Sequence, residues 1–169
     1  MVYIILGHGF EETEALVPCD ILRRGGVSVM LAGIGGEFVT GGHGITVKCD
    51  CQVEEIGLDG AEMIVFPGGS VGVESIGKSD RAMSIMKEAY EKGLFCAAIC
   101  AAPTLLGKMG ILNGKNAVCY PGLEDEMTGA SPADCDCITD GKLITGRAAG
   151  ASVSSAMHIS MHMLPRCGM

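Results

Sequence analysis

The hydrophobic positions of the chain form short continuous runs, and each run is followed by glycine, proline or a helical pattern. The runs cover residues 2–6, 27–32, 62–66, 94–99, 117–119 and 142–145. Continuous apolar runs of this length predict strands that are buried on both faces. The amphipathic segments between the runs predict helices over 12–24, 71–76, 80–92, 101–109 and 151–163.

This alternation of strands and helices predicts an α/β fold, in which a parallel sheet lies between two layers of helices. The glycine-rich segment 33–44 predicts turns and a small hairpin around 37–40, followed by a short strand over 45–49 and a loop over 51–58. The segment 122–140 is predicted to be a loop, and the sequence does not indicate its role. Because the chain has no internal repeat or linker, we expect a single domain over residues 1–169.

Several segments whose residues could bind a ligand or react with it directly follow predicted strands. In open α/β sheets the ligand site lies beyond the carboxyl ends of the strands, so these segments are expected to meet in one crevice. They are Gly7-His8-Gly9, Pro67-Gly68-Gly69, Cys100 and Tyr120-Pro121.

Cys100 is the strongest candidate for a reactive group. It stands between an apolar strand and a helix, with the small residues Ala98 and Ala102 two positions to either side and Pro103 in the first helical turn. This pattern is typical of a nucleophile elbow, the sharp strand-to-helix turn that exposes a nucleophile. The helix N-terminus is expected to lower the pKa of the thiol and favour the thiolate. A buried structural cysteine is the alternative.

Glu14 is a candidate partner of this thiol. Charged residues in a first helical turn are ordinarily solvated, which explains Glu11 and Glu12 without any function. Glu14 differs because Pro18 is expected to kink the helix there and aim its carboxyl at the crevice. A carboxyl beside a thiolate should have a raised pKa and act as a proton donor.

The Pro67-Gly68-Gly69 turn predicts close approach of backbone N–H groups to a ligand, because glycine has no Cβ. Together with the N–H of Ala101, these groups could form an oxyanion hole. An ordinary strand-to-helix turn would have the same sequence.

Composition narrows the functional class. The net charge of −8 argues against a protein that binds nucleic acid backbones, and no apolar run approaches the length of a membrane span. Nine cysteines, an odd number, without a preceding signal peptide favour reduced thiols and a cytoplasmic location.

No metal and no cofactor are predicted. His158 and His162 have the i, i+4 spacing of a chelating pair, but no third ligand has matching spacing, so exposed histidines near a helix C-terminus are favoured. The pairs Cys49/Cys51 and Cys135/Cys137 lack the spacing of a zinc ribbon.

Six motifs occur in an order that resembles the ThiJ/PfpI superfamily, in the branch of the parkinsonism-associated protein deglycase and its bacterial homologues. The likeness runs from residue 2 to about residue 163. The motifs are Gly9-Phe10-Glu11-Glu12-Thr13-Glu14, Pro18-Cys19-Asp20, Arg23-Arg24-Gly25-Gly26, Val65-Phe66-Pro67-Gly68-Gly69, Ala97-Ala98-Ile99-Cys100-Ala101-Ala102-Pro103-Thr104 and Ile144-Thr145-Gly146-Arg147.

The resemblance implies a flavodoxin-like three-layer sandwich that forms a homodimer. It implies that Cys100 is the nucleophile and Glu14 its protonated partner, with Gly69 and Ala101 at the oxyanion positions. Gly68 is expected to line the site, and Arg24 matches an arginine near the site at the dimer interface of relatives.

Two departures from the family pattern concern the site and the C-terminus. Many members have a histidine where this chain has Tyr120, so a Cys–His dyad is not expected from that position. The sequence also ends at Met169, short of the additional C-terminal helix of the human-type proteins.

Three functions remain open. The first is a cofactor-independent stress-protection enzyme that converts small reactive carbonyls such as methylglyoxal to lactate, or repairs their adducts. The second is an oxidative-stress sensor or redox chaperone in which Cys100 is oxidised. The third, a peptidase- or amidotransferase-like hydrolase, would require His8 or His43 as the base.

Overall fold

A computed structural model of the protein describes residues 1–163, apart from two side chains in the last helix. The last six residues of the predicted domain therefore lie outside the described part. The strands and helices, in chain order, are β1 (Val2–Leu6), α1 (Glu12–Arg24), β2 (Val29–Gly33), β3 (Phe38–Thr40), β4 (Thr46–Lys48), β5 (Cys51–Gln52), β6 (Met63–Phe66), α2 (Ser70–Gly77), α3 (Asp80–Glu91), β7 (Phe95–Ile99), α4 (Pro103–Lys108), β8 (Asn116–Ala117), β9 (Ser131–Pro132), β10 (Cys137–Asp140), β11 (Leu143–Gly146) and α5 (Ser152–Met163).

Seven strands form the central sheet, in the order β10-β11-β7-β6-β1-β2-β5. All neighbouring strands are parallel except β10 and β11, which are antiparallel. The chain runs outward from β1 to β2 and β5 on one side, and then through β6, β7 and β11 on the other. The direction of winding therefore reverses between β1 and β6, and the crevice above such a reversal is the usual ligand site.

Alternate side chains of the strands pack against the two helical layers. In β1, Ile5 joins the core beneath α2, α3 and α4, whereas Ile4 and Leu6 join the core beneath α1 and α5. This period of two is what strands buried on both faces require. The arrangement confirms the predicted three-layer α/β fold with helices on both faces.

The helices are short, and α1, with 13 residues, begins and ends where the sequence predicts. The helix α3 begins one residue after Ser79, whose hydroxyl accepts a hydrogen bond from the Ala82 N–H at 3.2 Å. This is the expected cap of a helix N-terminus. Across the described part of the chain, no helix has both the length and the apolar character needed to cross a bilayer.

The predictions were wrong mainly for short strands at the two edges of the central sheet and outside it. The strand β10 lies in the segment 122–140, which was predicted to be a loop, because its four residues are only half-buried and lack an apolar pattern. The predicted strand over 117–119 is a two-residue strand, β8, which pairs with β9 outside the central sheet. The predicted loop over 51–58 contains β5 and a 3₁₀ helix, Val53–Glu55.

Candidate active site

Cys100 occupies a sharp turn at the end of β7. Its φ of 64° makes it the only non-glycine residue with positive φ in the described part of the chain. Its N–H donates to the Gly146 carbonyl at 2.9 Å, and its carbonyl accepts from the Tyr120 N–H at 2.8 Å. A strained conformation held from both sides is a feature of functional sites. This geometry is that of the predicted elbow.

Glu14 lies on α1 with 1% of its surface exposed. Its Oε2 accepts a hydrogen bond from the Gly68 N–H at 2.7 Å, whereas its Oε1 is buried with no hydrogen-bond partner. A Cβ on Gly68 would clash with the Glu14 carboxyl and would lie 2.5 Å from the Cys100 Cβ. Glu14 and Cys100 therefore flank one glycine, and only glycine fits between them.

Backbone donors surround the sulfur. The N–H groups of Gly69 and Ala101 donate toward Cys100 and act to lower the pKa of its thiol. Gly69 has a φ of 88°, and a Cβ there would lie 2.5 Å from the Gly9 carbonyl oxygen. The two N–H groups are thus directed at the sulfur from the two positions that the sequence predicts.

Burial dominates the ionisation of both groups. It raises the pKa of Glu14 to about 7, while the Gly68 hydrogen bond opposes this shift and the charge of Glu11 adds to it. It also raises the pKa of the Cys100 thiol to about 11, with the Glu14 charge acting in the same direction. Desolvation disfavours the charged form of either group, so the site retains protons that exposed groups would lose.

The direction of the Glu14 shift confirms the prediction, but that of Cys100 is opposite to it. The helix α4 has six residues and begins only at Pro103, so its dipole near the sulfur is small. The desolvation of the thiol outweighs this dipole. The free site therefore holds a thiol at neutral pH and not a thiolate.

A second buried carboxyl, that of Glu12, was not predicted from the sequence. Glu12, expected to be solvated, is only 5% exposed. Burial acts to raise its pKa, but hydrogen bonds from the His43 side chain and from backbone N–H groups prevail and lower it. A glycine-rich hairpin turn covers this carboxyl, and no local sequence pattern predicts that contact.

The remaining predicted residues are distributed around the sheet. Tyr120 is 49% exposed and contributes its backbone N–H to Cys100, as described above. Arg24 lies at the opposite end of α1 from Glu14, exposed and paired with Asp20 at 2.9 Å, so a single chain does not bring it to the site. His8 is exposed beside the crevice.

One group of side chains could hold a metal ion. Ligand atoms of Glu11, Glu12 and His43 lie within 4.8 Å of one another. The 2.9 Å hydrogen bond between His43 Nδ1 and Glu12 Oε2 already satisfies two of these atoms and would have to break.

The two histidines of α5 have separate partners. His158 Nδ1 lies 2.9 Å from the Ser154 carbonyl oxygen, and the His162 ring packs 4.7 Å from that of Phe95. His158 is half-buried and not exposed as predicted, whereas His162 is exposed.

A groove of about 420 Å³ adjoins the site between α2 and α4. Ser70 and Ala101, which follow Gly69 and Cys100, line its near end. The cavity beneath Glu14, which Pro18 also lines, measures only about 10 Å³. Space for a bound molecule is therefore found on the α2 and α4 side of Cys100.

Comparison with known proteins identifies the family. Residues 1–161 match the model of the DJ-1/PfpI family. The chain belongs to this family. The Drosophila melanogaster protein dj-1beta is 33% identical over 160 residues, which cover 93% of this chain and 86% of that protein. A Pyrococcus abyssi protein named as a deglycase is 32% identical over 151 residues, covering 88% of this chain and 90% of its own length.

A solved structure supports the same assignment. The structure of Toxoplasma gondii DJ-1, described as oxidized, superimposes on this DJ-1/PfpI protein with a TM-score of 0.91. It shares 28% sequence identity, and the match covers 95% of this chain and 89% of the other. Fold and family are therefore established together.

Proposed function

We propose that the protein is a cofactor-independent cysteine enzyme that protects against reactive carbonyls. It would convert 2-oxoaldehydes such as methylglyoxal to 2-hydroxy acids, or remove their adducts. The observation that carries this proposal is the pairing of Cys100 and Glu14 across Gly68, with two backbone N–H groups directed at the sulfur. The deglycase name of the Pyrococcus abyssi relative supports the same chemistry.

The first step is addition of sulfur to the aldehyde. Because the Cys100 pKa is raised, the thiol keeps its proton until the attack, when the ionised Glu14 carboxylate accepts it. A sulfur–carbon bond forms, and the carbonyl oxygen gains negative charge near the N–H groups of Gly69 and Ala101. Glu14 then returns the proton to this oxygen, which gives a hemithioacetal.

The second step moves a proton between the two substrate carbons. Glu14 removes the proton from the sulfur-bearing carbon, which yields an enediolate, and returns it to the neighbouring carbon, while the hydroxyl proton of the first carbon passes to the oxygen of the second. The first carbon is oxidised and the second reduced by the same electron pair, so no external oxidant is needed. Water then hydrolyses the thioester, releasing the 2-hydroxy acid and restoring the thiol. A pKa of about 7 allows Glu14 to accept and donate protons near neutral pH.

The test is formation of D- or L-lactate from methylglyoxal by the wild type and by Cys100→Ser. We expect lactate formation by Cys100→Ser to fall to the uncatalysed rate. Cys51→Ser, which alters a half-buried thiol at the far edge of the sheet, serves as the control and should retain the wild-type rate. Equal rates in the wild type and Cys100→Ser would reject the proposal.

A second candidate is a redox sensor or redox chaperone. Oxidation of Cys100 to sulfinate would place oxygens near the Gly69 and Ala101 N–H groups, and the unpartnered Glu14 Oε1 could carry a proton to one of them. After peroxide treatment, peptide mass spectrometry should find added oxygen on Cys100 before Cys119. Oxidation of Cys119 first would argue against this role.

The hydrolase alternative has less support from the geometry. A peptidase of this type needs a histidine base beside the sulfur. His43 binds Glu12 through Nδ1 instead, and His8 is exposed. We therefore expect no turnover of casein or glutamine, and clear proteolysis would reverse this ranking.

The proposal includes a homodimer in the cytoplasm. Nine cysteines suit a reducing compartment, and exposed Phe38 and Ile45 on the hairpin offer apolar surface to a second copy. Arg24 would then approach the site of the partner across the interface. Light scattering should give about twice the chain mass of 17.4 kDa.

A further inference from the structure

A hairpin turn packs against the loop 9–11, and this loop in turn contacts the candidate active site. The Gly9 N–H donates to the Thr40 carbonyl, and the Gly42 N–H donates to the Phe10 carbonyl, both at 2.8 Å. On its other side, the same loop reaches the site, because the Glu11 N–H donates to the Gly68 carbonyl at 2.9 Å. The loop 9–11 therefore lies between the turn and the peptide groups that face Cys100 and Glu14.

One side-chain cluster fastens this turn. Glu12 Oε1 accepts from the N–H groups of His43 at 2.8 Å and Ile45 at 3.4 Å. Glu12 Oε2 lies 2.9 Å from His43 Nδ1, and Glu11 Oε2 lies 3.6 Å from the same nitrogen. The His43 side chain is 71% exposed in the single chain, so its contacts to the two carboxylates lie at the surface.

We propose that His43 is a positioning residue for the candidate active site, which it supports by clamping the hairpin turn to Glu12. This inference rests on the proposed function only in taking Cys100 and Glu14 as the reacting pair. The clamp itself is defined by hydrogen bonds outside that pair. It acts through the loop 9–11 on the backbone of Gly68 and Gly69.

The charged groups around the clamp are few. Glu11 and Glu12 are the ionisable groups that interact with His43 in the described structure, and both are acidic. Removal of the His43 side chain therefore leaves both carboxyls without their contact to the imidazole.

Amide hydrogen exchange at Gly42 measures the clamp directly, because that N–H closes the turn onto Phe10. His43→Ala removes the side-chain donor, so we expect its protection factor to be about three- to tenfold lower than that of the wild type at the same pH. His43→Asn keeps a side-chain donor and should show intermediate protection. His8→Asn, an exposed histidine outside the cluster, is the control.

The effect on the site is measured by alkylation of Cys100. Loosening of the loop weakens the N–H donors at the sulfur, so His43→Ala should react severalfold more slowly at pH 7, with partial recovery in His43→Asn. Unchanged Gly42 protection in His43→Ala would overturn the clamp. Lost protection with unchanged Cys100 reactivity would overturn the positioning role. If Glu14→Gln leaves Cys100 alkylation unchanged, the proposed reacting pair fails, and the exchange data alone decide the clamp.

Discussion

Glu12 and Glu14 lie two residues apart on α1, and both are almost completely covered, with 5% and 1% of their surfaces exposed. Their ionisation nevertheless differs in direction, because the pKa of Glu12 is lowered and that of Glu14 is raised to about 7. Glu12 receives two backbone N–H groups and an imidazole beneath a thin glycine-rich turn. Glu14 is more deeply buried and accepts a hydrogen bond from one backbone N–H, and its Oε1 has no hydrogen-bond partner.

This difference shows that the charge of a buried carboxyl depends on the hydrogen-bond donors around it and on how deeply it is buried. The carboxylate of Glu12 has a structural role, since it is ionised and organises the hairpin turn. Glu14 has a pKa suited to proton transfer because its surroundings leave the charge poorly compensated. The same type of side chain thus has opposite pKa shifts at two positions within one helical turn.

The largest expected difference between Glu14 and Glu12 is in the effect of their substitution on enzymatic turnover. If Glu14 is the acid and base, Glu14→Gln should reduce lactate formation from methylglyoxal about 10²- to 10⁴-fold, the usual range for loss of such a group. Glu12→Gln, which leaves Glu14 in place, should retain much more activity. A comparable loss in both variants would show that Glu14 is not distinguished from its neighbour.

The next largest effect concerns the free energy of unfolding at alkaline pH, which Glu14→Gln should increase. Protonated Glu14 favours the folded state fully below its unfolded pKa of 4.5, and this benefit is lost as pH rises to about 7. Glu14→Gln is neutral at every pH, so at pH 8 it should be more stable than the wild type by up to about 3 kcal/mol. Urea unfolding at pH 8 and near pH 4, where the two proteins should agree, measures the effect. A destabilised variant at pH 8 would contradict the assigned ionisation.

Glu12→Gln should act with the opposite sign. The lowered pKa of Glu12 gives stability that is present above the unfolded pKa and is lost as pH falls through the folded one. Removing the charged acceptor should therefore cost about 1–3 kcal/mol at neutral pH. The same unfolding series should show this cost shrinking in acid, and a constant cost would point to packing instead of charge.

The smallest expected effect is on the thiol. The Glu14 charge contributes to the raised pKa of Cys100, so Glu14→Gln should move the Cys100 titration to lower pH, by about one unit or less because burial remains the main cause. Thiolate absorbance or the pH dependence of alkylation gives this value. An upward shift would mean that Glu14 stabilises the thiolate and does not oppose it.

The central architecture was accessible from sequence because local patterns encode it. Apolar runs located the inner strands, and the bounds of α1 were predicted correctly. The small residues around Cys100 predicted its elbow, whose positive φ the structure contains. The edge strand β10 was missed because half-buried edge positions carry no apolar run.

The pKa shifts of the site residues were harder to predict from the sequence. The position of Cys100 before a helix suggested a lowered thiol pKa, but the depth of the site depends on packing between distant segments. The same limit concealed Glu12, whose partners His43 and Ile45 lie more than thirty residues away in the chain. Contacts of this range have no signature in a local window.

The two backbone hydrogen bonds that hold Cys100 have a consequence for distant substitutions. Gly146 and Tyr120 belong to separate segments, and each bonds the backbone that carries the thiol. A change in β11 or in the turn after β8 should therefore alter the reactivity of Cys100 without any contact with its sulfur.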